Sequence, residues 1–451
     1  VLDVHLDTNF RSTDAVIHSA RTFIEHNRQR LPKNMISNRR LQRKHEDGDI
    51  VHHHFRNDPE EFSLILEKIR ELHGTDFLDK RNNPYSLSYS DFAILVRTNE
   101  DAARIVDFLD DHDIDCIAYS GISVFERPVV QLAMNCLAYV FACNGYNLNR
   151  VPELGSLRNE YASIFPTEQY SLADPRNFTK KLGAIKSQAD AIIAKDPKDY
   201  FGDLGLQGFY HKILNAMGAE DFDFGEVHNY NLAALSTAIS DYESVWVRLR
   251  AKEVVGFFFY VYAYARGHYT DTQHRDTTII NAVNVLTIHK AKGLEFPVVF
   301  MPNFEWKRKR RPSDTFVDAS LYDFAKYAGD EEDERRVYYT AITRSEKYLY
   351  ITSSEQQDNR KSDYEPHPFL HEIDGKYFSE ALRSPRKRSA YPARTRTIGV
   401  YPTSFSNLVC YSRCPQDFRL RHIYSYNAGI PVTFGYGTNI HNMLNIIHKG
   451  Y

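Results

Sequence analysis

The run Phe92-Ala93-Ile94-Leu95-Val96 offers no polar residue to either face, so a strand built from it must be covered on both sides. Continuous apolar strands of this kind belong to parallel sheets with helices packed above and below. The flanking sequence agrees. Residues Gly48 to Phe55 read as a strand, and Asp58-Pro59-Glu60-Glu61 reads as a helix start, with Asp58 as N-cap, proline at the first position and acids in the first turn. Phe62, Ile65, Leu66, Ile69 and Leu72 then recur at helical spacing. A helix over 102–109 and a strand over 115–119 continue the alternation. The same signature returns at 284–288 and 297–301, followed by a helix over 332–345 and a strand over 348–352.

Between these stretches the chain changes character. Residues 146–280 are helical by pattern and rich in Tyr and Phe, with Leu232, Leu235, Ile239, Tyr242 and Trp246 on one stripe. The expectation is an α/β domain of two parts, 1–145 and 281–355, split by a helical insertion over 146–280. Residues 356–400 are charged and proline-containing, with six basic residues between Arg383 and Arg396, which predicts a linker or exposed arm. A further unit is expected to begin at 401 and to be cut off at 451.

Charge limits the function. With a formal net charge of −3, any nucleic acid must be held by a local channel. No apolar stretch is long enough to span a bilayer, and the N-terminus lacks the parts of a signal peptide and a starting Met, as in a fragment. Five scattered cysteines point to a reducing, cytoplasmic compartment with no disulfide framework.

Three segments carry chemistry. The first is Val285-Leu286-Thr287-Ile288-His289-Lys290-Ala291-Lys292-Gly293-Leu294-Glu295, which runs from one buried strand to the next. Read as a tight polar loop, it puts His289, Lys292 and Glu295 at the carboxyl edge of the sheet, where open α/β folds bind ligands. The second is Glu334-Arg335-Arg336-Val337-Tyr338-Tyr339-Thr340-Ala341-Ile342-Thr343-Arg344, in which Val337, Ala341 and Arg344 share a helical face. A rigidly held guanidinium there could stabilise a transferring phosphoryl group; taken alone, these arginines read as a solvated face. The third is Leu6-Asp7-Thr8-Asn9-Phe10-Arg11-Ser12, a loop leading into a helix over 13–25.

In this order the three segments resemble signature motifs of superfamily 1 DNA helicases of the UvrD/Rep/PcrA type. The resemblance implies a RecA-like second motor domain. It implies that Phe10, where most relatives carry Tyr, stacks on adenine. Arg11 would reach the γ-phosphate and Arg344 would be the arginine finger, both catalytic, with Gly293 and Glu295 completing the ATP side through the ribose. Thr287 and His289 would lie near DNA. Ile94-Leu95-Val96-Arg97-Thr98-Asn99 looks like the family's strand whose following Arg97 and Asn99 touch DNA, and Gly121-Ile122-Ser123-Val124-Phe125-Glu126-Arg127 like the turn ahead of the inserted subdomain. Implied ligands are ATP with Mg²⁺ and single-stranded and duplex DNA. Neither a Gly-x-x-x-x-Gly-Lys-Ser/Thr loop nor an acidic pair after an apolar strand occurs here, so the first RecA-like domain is expected upstream. Trp306-Lys307-Arg308-Lys309-Arg310-Arg311 reads as a DNA-backbone contact.

The segment from Ser404 to Phe418, with Gly437 and His441 beyond it, resembles the opening of RecB/AddB-type nuclease domains of the PD-(D/E)XK class. That likeness makes His441 a first metal ligand. It also puts Cys414 in an iron–sulfur cluster, but a cluster needs four thiolates and none follows Cys414, so none is expected complete here. The expected function is an ATP-driven 3′–5′ DNA helicase or translocase acting in repair or recombination. Its rivals are a helicase-like scaffold subunit of a nuclease complex, and a helicase–nuclease whose main output is exonuclease cleavage.

Overall fold

The computed structural model describes residues 7–30, 35–118, 123–143, 150–195, 205–245, 251–265, 280–306, 331–356, 364–379, 388–394, 403–419 and 422. They fall into two compact units, one of residues 1–121 and 278–397, the other of residues 122–277 and 398–451.

In the first unit the apolar run forms β6 (Phe92–Val96), buried at every position. It lies inside a seven-stranded, all-parallel sheet with the order β11-β3-β10-β9-β6-β8-β7. The other strands are β3 (Ile50–Asn57), β7 (Cys116–Ala118), β8 (Val283–Thr287), β9 (Phe296–Met301), β10 (Ser345–Gln356) and β11 (Phe378–Ser379). Helices α1 (Asp14–Ile24), α2 (Asp58–Leu72), α3 (Asn99–Asp110) and α10 (Glu331–Ile342) belong to the same unit. A short antiparallel hairpin, β4 (Asp76–Leu78) and β5 (Pro84–Ser86), lies outside the large sheet, as does the parallel pair β1 (Thr8–Asn9) and β2 (Ile36–Ser37).

Several boundaries differ from expectation for local reasons. Asn57, not Asp58, caps α2, its side chain accepting from the Glu60 amide at 3.0 Å; Asp58 is drawn instead into an ion pair with Arg104. Strand β10 runs four residues past Thr352, to Gln356. The polar residues Thr352, Ser353 and Ser354 are fully buried because α2 and β3 satisfy them. Thr352 donates to Glu61 at 2.7 Å, Ser353 meets His54 at 2.8 Å, and Ser354 reaches Asp58 at 3.4 Å.

The described parts of the expected linker belong to the fold. Residues 364–379 carry two short 3₁₀ turns and β11, which pairs with β3 at Ile50 and Val51. Arg335 clamps Glu372 with two bonds of 2.6 and 2.7 Å, and its guanidinium lies 4.6 Å from the Phe369 ring centroid. Residues 388–394 lie along the β4–β5 hairpin, with Ser86 N donating to Pro392 O at 3.1 Å and Ser389 N to Gly74 O at 2.8 Å. Charge suggested solvent; buried ion pairing and strand addition decided otherwise.

The second unit is helical among its described residues: α4 (Pro128–Val140), α5 (Leu154–Ile164), α6 (Pro175–Lys195), α7 (Leu206–Met217), α8 (Glu226–Val245), α9 (Ala251–Tyr260) and α11 (Phe405–Arg413). It begins before the expected boundary at 146, because α4 is buried on nearly every face. Its tyrosines build the core: Tyr161 stacks on Phe178 at 4.3 Å and donates to Met217 O at 3.0 Å, while Tyr210 donates to Leu232 O at 2.7 Å. Leu232, Leu235, Ile239 and Tyr242 of the α8 stripe are buried; Trp246 lies outside the described residues.

Candidate functional site: two rims of one sheet

The segment after β8 does not make a tight turn. Strands β8 and β9 are parallel and flank β6, so the chain must cross from the carboxyl end of one to the amino end of the other. Thr287 pairs with Val96 at one rim, whereas Val298 pairs with Phe92, which puts Glu295 at the opposite rim, about 20 Å away along the strands. This corrects the assignment of Glu295 to the carboxyl edge. A turn can join adjacent antiparallel strands; two parallel strands need a crossover. The crossing is helix-like, with Ala291 N donating to Thr287 O and Leu294 N to Ala291 O. It ends on Gly293 at φ +93°, a left-handed conformation that L side chains rarely adopt.

At the amino rim three predicted residues come together. Asn9 accepts from the amides of Arg11 (2.7 Å) and Ser12 (3.0 Å), forming a side-chain turn that leaves Phe10 61% exposed. Ser12 then donates to Ser345 O at 2.7 Å, across 333 positions of sequence, and Thr13 N donates to Glu346 O at 2.9 Å. These bonds bring Arg11 against the start of β10, where Arg344 lies. Arg11 Nε meets Glu295 Oε2 at 2.5 Å. Arg344 lies two residues past the end of α10, not on its face. Its guanidinium folds back to cap the helix, donating to Thr340 O, Leu294 O and Thr343 Oγ1, each at 3.0 Å. Burial lowers its pKa from the usual arginine value, and repulsion from Arg11 lowers it further, against the opposing pull of Glu295.

Sequence reasoning missed three residues here. Arg43 forms a buried ion pair with Glu346 and donates to the backbone carbonyl of Arg11, while stacking over Phe77 with its guanidinium 4.8 Å from the ring centroid. Burial raises the Glu346 carboxyl above its usual range although Arg43 pulls the other way. Lys80, on the β4–β5 loop, reaches the second oxygen of Glu295 at 3.4 Å. Only the acid two residues after Arg344 was a usable signal; Arg43 sits in a basic stretch that gives no hint of burial. A cleft lined by Asn9, Ser12, Ile17, Tyr339 and Thr343 opens beside the group.

At the carboxyl rim lie Arg97, Asn99, Thr287 and His289. The ladder between β6 and β8 continues one bond beyond Thr287, with Ile288 N donating to Val96 O at 3.0 Å, so Arg97 and His289 leave neighbouring strand ends. Both are exposed, as is Asn99; Thr287 is partly covered. Thr98 caps α3 by accepting from Asp101 N at 3.1 Å, which starts the helix at Asn99, earlier than expected. His441 lies outside the described residues. Among the described residues no three His, Cys, Asp or Glu side chains gather as a metal site. The amino rim fits an anionic group through Arg11 and Arg344.

A parallel α/β sheet with paired guanidinium groups at one rim and exposed polar residues at the other defines an open α/β domain with a cationic edge. The chain belongs to the family of UvrD-like helicase C-terminal domains, whose profile matches residues 4–153 and 209–356. It is similar to the ATP-dependent DNA helicase PcrA of Leuconostoc citreum (24% identity over 403 residues, 82% of this chain and 49% of that protein). It is also similar to the PcrA helicases of Staphylococcus aureus strain Mu50 (23% over 407 residues, 82% and 49%) and Bacillus subtilis strain 168 (24% over 381 residues, 78% and 46%). The chain spans about half the length of these relatives. No described helix is long and apolar enough to cross a membrane.

Proposed function

We propose that this chain is the second motor half of an ATP-dependent DNA helicase or translocase, moving 3′ to 5′ in DNA repair or recombination. The observation that carries the reading is the convergence of Arg11, Glu295 and Arg344 on one rim from three distant parts of the sequence. ATP bound with Mg²⁺ by an upstream RecA-like domain meets this rim. Arg11 exchanges Glu295 for the γ-phosphate, and Glu295 turns to the ribose, where Gly293 keeps the backbone open. Phe10 stacks on the adenine, and Arg344 neutralises charge building on the transferring phosphoryl group. The hydrolytic step therefore draws on two fixed positive charges from this domain.

DNA is gripped at the other rim by Arg97, Asn99, Thr287 and His289. The crossover from Thr287 to Glu295 joins the two, so a displacement of Glu295 on nucleotide binding is passed to His289. The helical unit is an insertion within the motor domain, with Ser123–Arg127 leading into α4. In the intact protein, Arg344→Ala is expected to retain nucleotide binding and to lose about 10³–10⁵ in hydrolysis rate. A near-normal turnover number in a stopped-flow phosphate-release assay would remove Arg344 from the chemistry.

The segment from Ser404 is read as the start of a RecB/AddB-like nuclease domain, with His441 as a metal ligand. Its support is the quoted motif run together with Ser404, which caps α11 by accepting from Asn407 N at 3.2 Å. Metal-binding carboxylates and a lysine in downstream sequence decide between this and a motor that only feeds or scaffolds a separate nuclease.

A further inference from the structure

The loop leaving β9 opens on the carboxyl rim, and it presents Trp306 there with 43% of its surface exposed. An indole costs apolar hydration when left in water, and it is normally buried or engaged at an interface. The loop is not a loose tip that happens to carry it. Trp306 N donates to Glu365 O at 2.8 Å, the flanking Glu305 bridges to Pro366, and Phe304 N donates to Thr352 O at 2.9 Å. The ring meets the imidazole of His367 at 5.2 Å between centroids and 73° between planes. His367 is itself buried against Phe304, Tyr338 and Phe369. One side of the indole is thus braced by the core while the remainder faces solvent.

Its position relative to the proposed DNA grip follows from the sheet. Strands β9 and β6 are neighbours, so the loop after Met301 and the segment Arg97–Asn99 leave adjacent strand ends. Tyr338, raised above the usual phenol range by burial first and by Glu334 next, also feels both Arg97 and Glu305, which brackets the two loops around one hydroxyl. The chain beyond Trp306 continues as Lys307-Arg308-Lys309-Arg310-Arg311. An exposed, braced aromatic at the same rim as an exposed cation, here Arg97, is the combination by which proteins hold single strands without reading sequence: the cation holds a phosphate and the ring stacks on a base.

We propose that Trp306 is a stacking platform for one base of single-stranded DNA at the carboxyl rim. The proposal rests on the reading of that rim as the DNA side, and the experiment separates the two. The 451-residue chain is titrated with a labelled oligothymidylate and with a sugar–phosphate oligomer of equal length that lacks bases. Trp306→Ala is expected to weaken oligothymidylate binding about fivefold to 150-fold, the value of one stacked base, and to leave binding of the baseless oligomer unchanged. Trp306→Phe keeps a ring and should retain most of the affinity, which also controls for folding. With Trp246 replaced by Phe, Trp306 is the sole tryptophan, and its emission should be quenched by the oligothymidylate but not by the baseless oligomer. Parental affinity in Trp306→Ala, with weakened binding in Arg97→Ala, would overturn the platform and leave the DNA rim standing. Equal losses on both oligomers would make Trp306 a brace for its loop and overturn the proposal. Parental affinity in both variants would overturn the DNA rim and the platform together.

Discussion

Replacing Arg43 by Met should be among the most destabilising single changes at the amino rim. The side chains of Arg43 and Glu346 are 2% and 8% exposed, so removing the guanidinium strands a buried carboxylate. Breaking one side of such a pair costs about 3–5 kcal/mol. The bond to the Arg11 carbonyl contributes about 1 kcal/mol more, and Met preserves most of the packing on Phe77. With a urea m-value of about 3 kcal/mol per molar, the unfolding midpoint of the sheet unit should fall by about 1.3–2 M. It can be followed by Trp306 emission in a Trp246→Phe background. The double replacement Arg43→Met, Glu346→Met removes the stranded charge and should recover all but about 1 kcal/mol. The deficit of the single variant must also grow with pH. A Glu346 carboxyl raised above its unfolded value binds its proton more tightly when folded, so stability is present at low pH and is lost as pH rises from the unfolded carboxylate pKa. A single variant within about 1 kcal/mol of the parent, or a double variant no better than the single, would refute the reasoning.

Two further outcomes follow from groups described above or beside them. Glu61 is 0% exposed with its pKa raised to about 7 by burial, against the opposing bonds from Thr352 and Asn303. It should therefore cost stability progressively between pH 4.5 and 7, reaching about 3 kcal/mol. Glu61→Gln should flatten that stretch of the pH profile of the urea midpoint, and an unchanged slope would count against it. Gly293→Ala has room for its methyl but must hold φ +93°, so it should lose about 1–2 kcal/mol and, in the intact protein, weaken the stimulation of ATP hydrolysis by DNA. Undiminished stimulation with undiminished stability would show that the crossover tolerates another backbone.

Much of the architecture could be read from local pattern. Phe92–Val96 announces a doubly covered strand by composition alone, and the helix of Phe62, Ile65 and Ile69 follows from periodicity. What failed was whatever depended on partners distant in sequence. The 288–295 segment looked like a turn because nothing local reveals that β6 lies between the strands it joins. Arg344 looked helical because a 3.6-residue count does not register that the helix ends at Ile342 and is capped by that same side chain. The charged stretches 364–379 and 388–394 looked exposed because their partners, Arg335 in one case and the Gly74 carbonyl in the other, lie elsewhere in the chain. The site residues themselves were legible only as a set. Each is an ordinary surface type alone, and the bonds that gather them, Ser12 to Ser345 and Arg43 to Arg11, carry no signature in the linear order.

The short β11 strand decides where this sheet unit can be cut. By lying along β3 it blocks part of a backbone edge that would otherwise offer open amides and carbonyls to any passing chain, and it does so with residues well past the last signature motif. A version ended at Gln356 would keep every residue proposed to touch ATP or DNA, Trp306 included, and yet expose a sticky flank. Domain limits drawn from motifs alone therefore uncover Ile50 and Val51 of β3, whereas limits drawn after 394 keep that stretch of the edge paired.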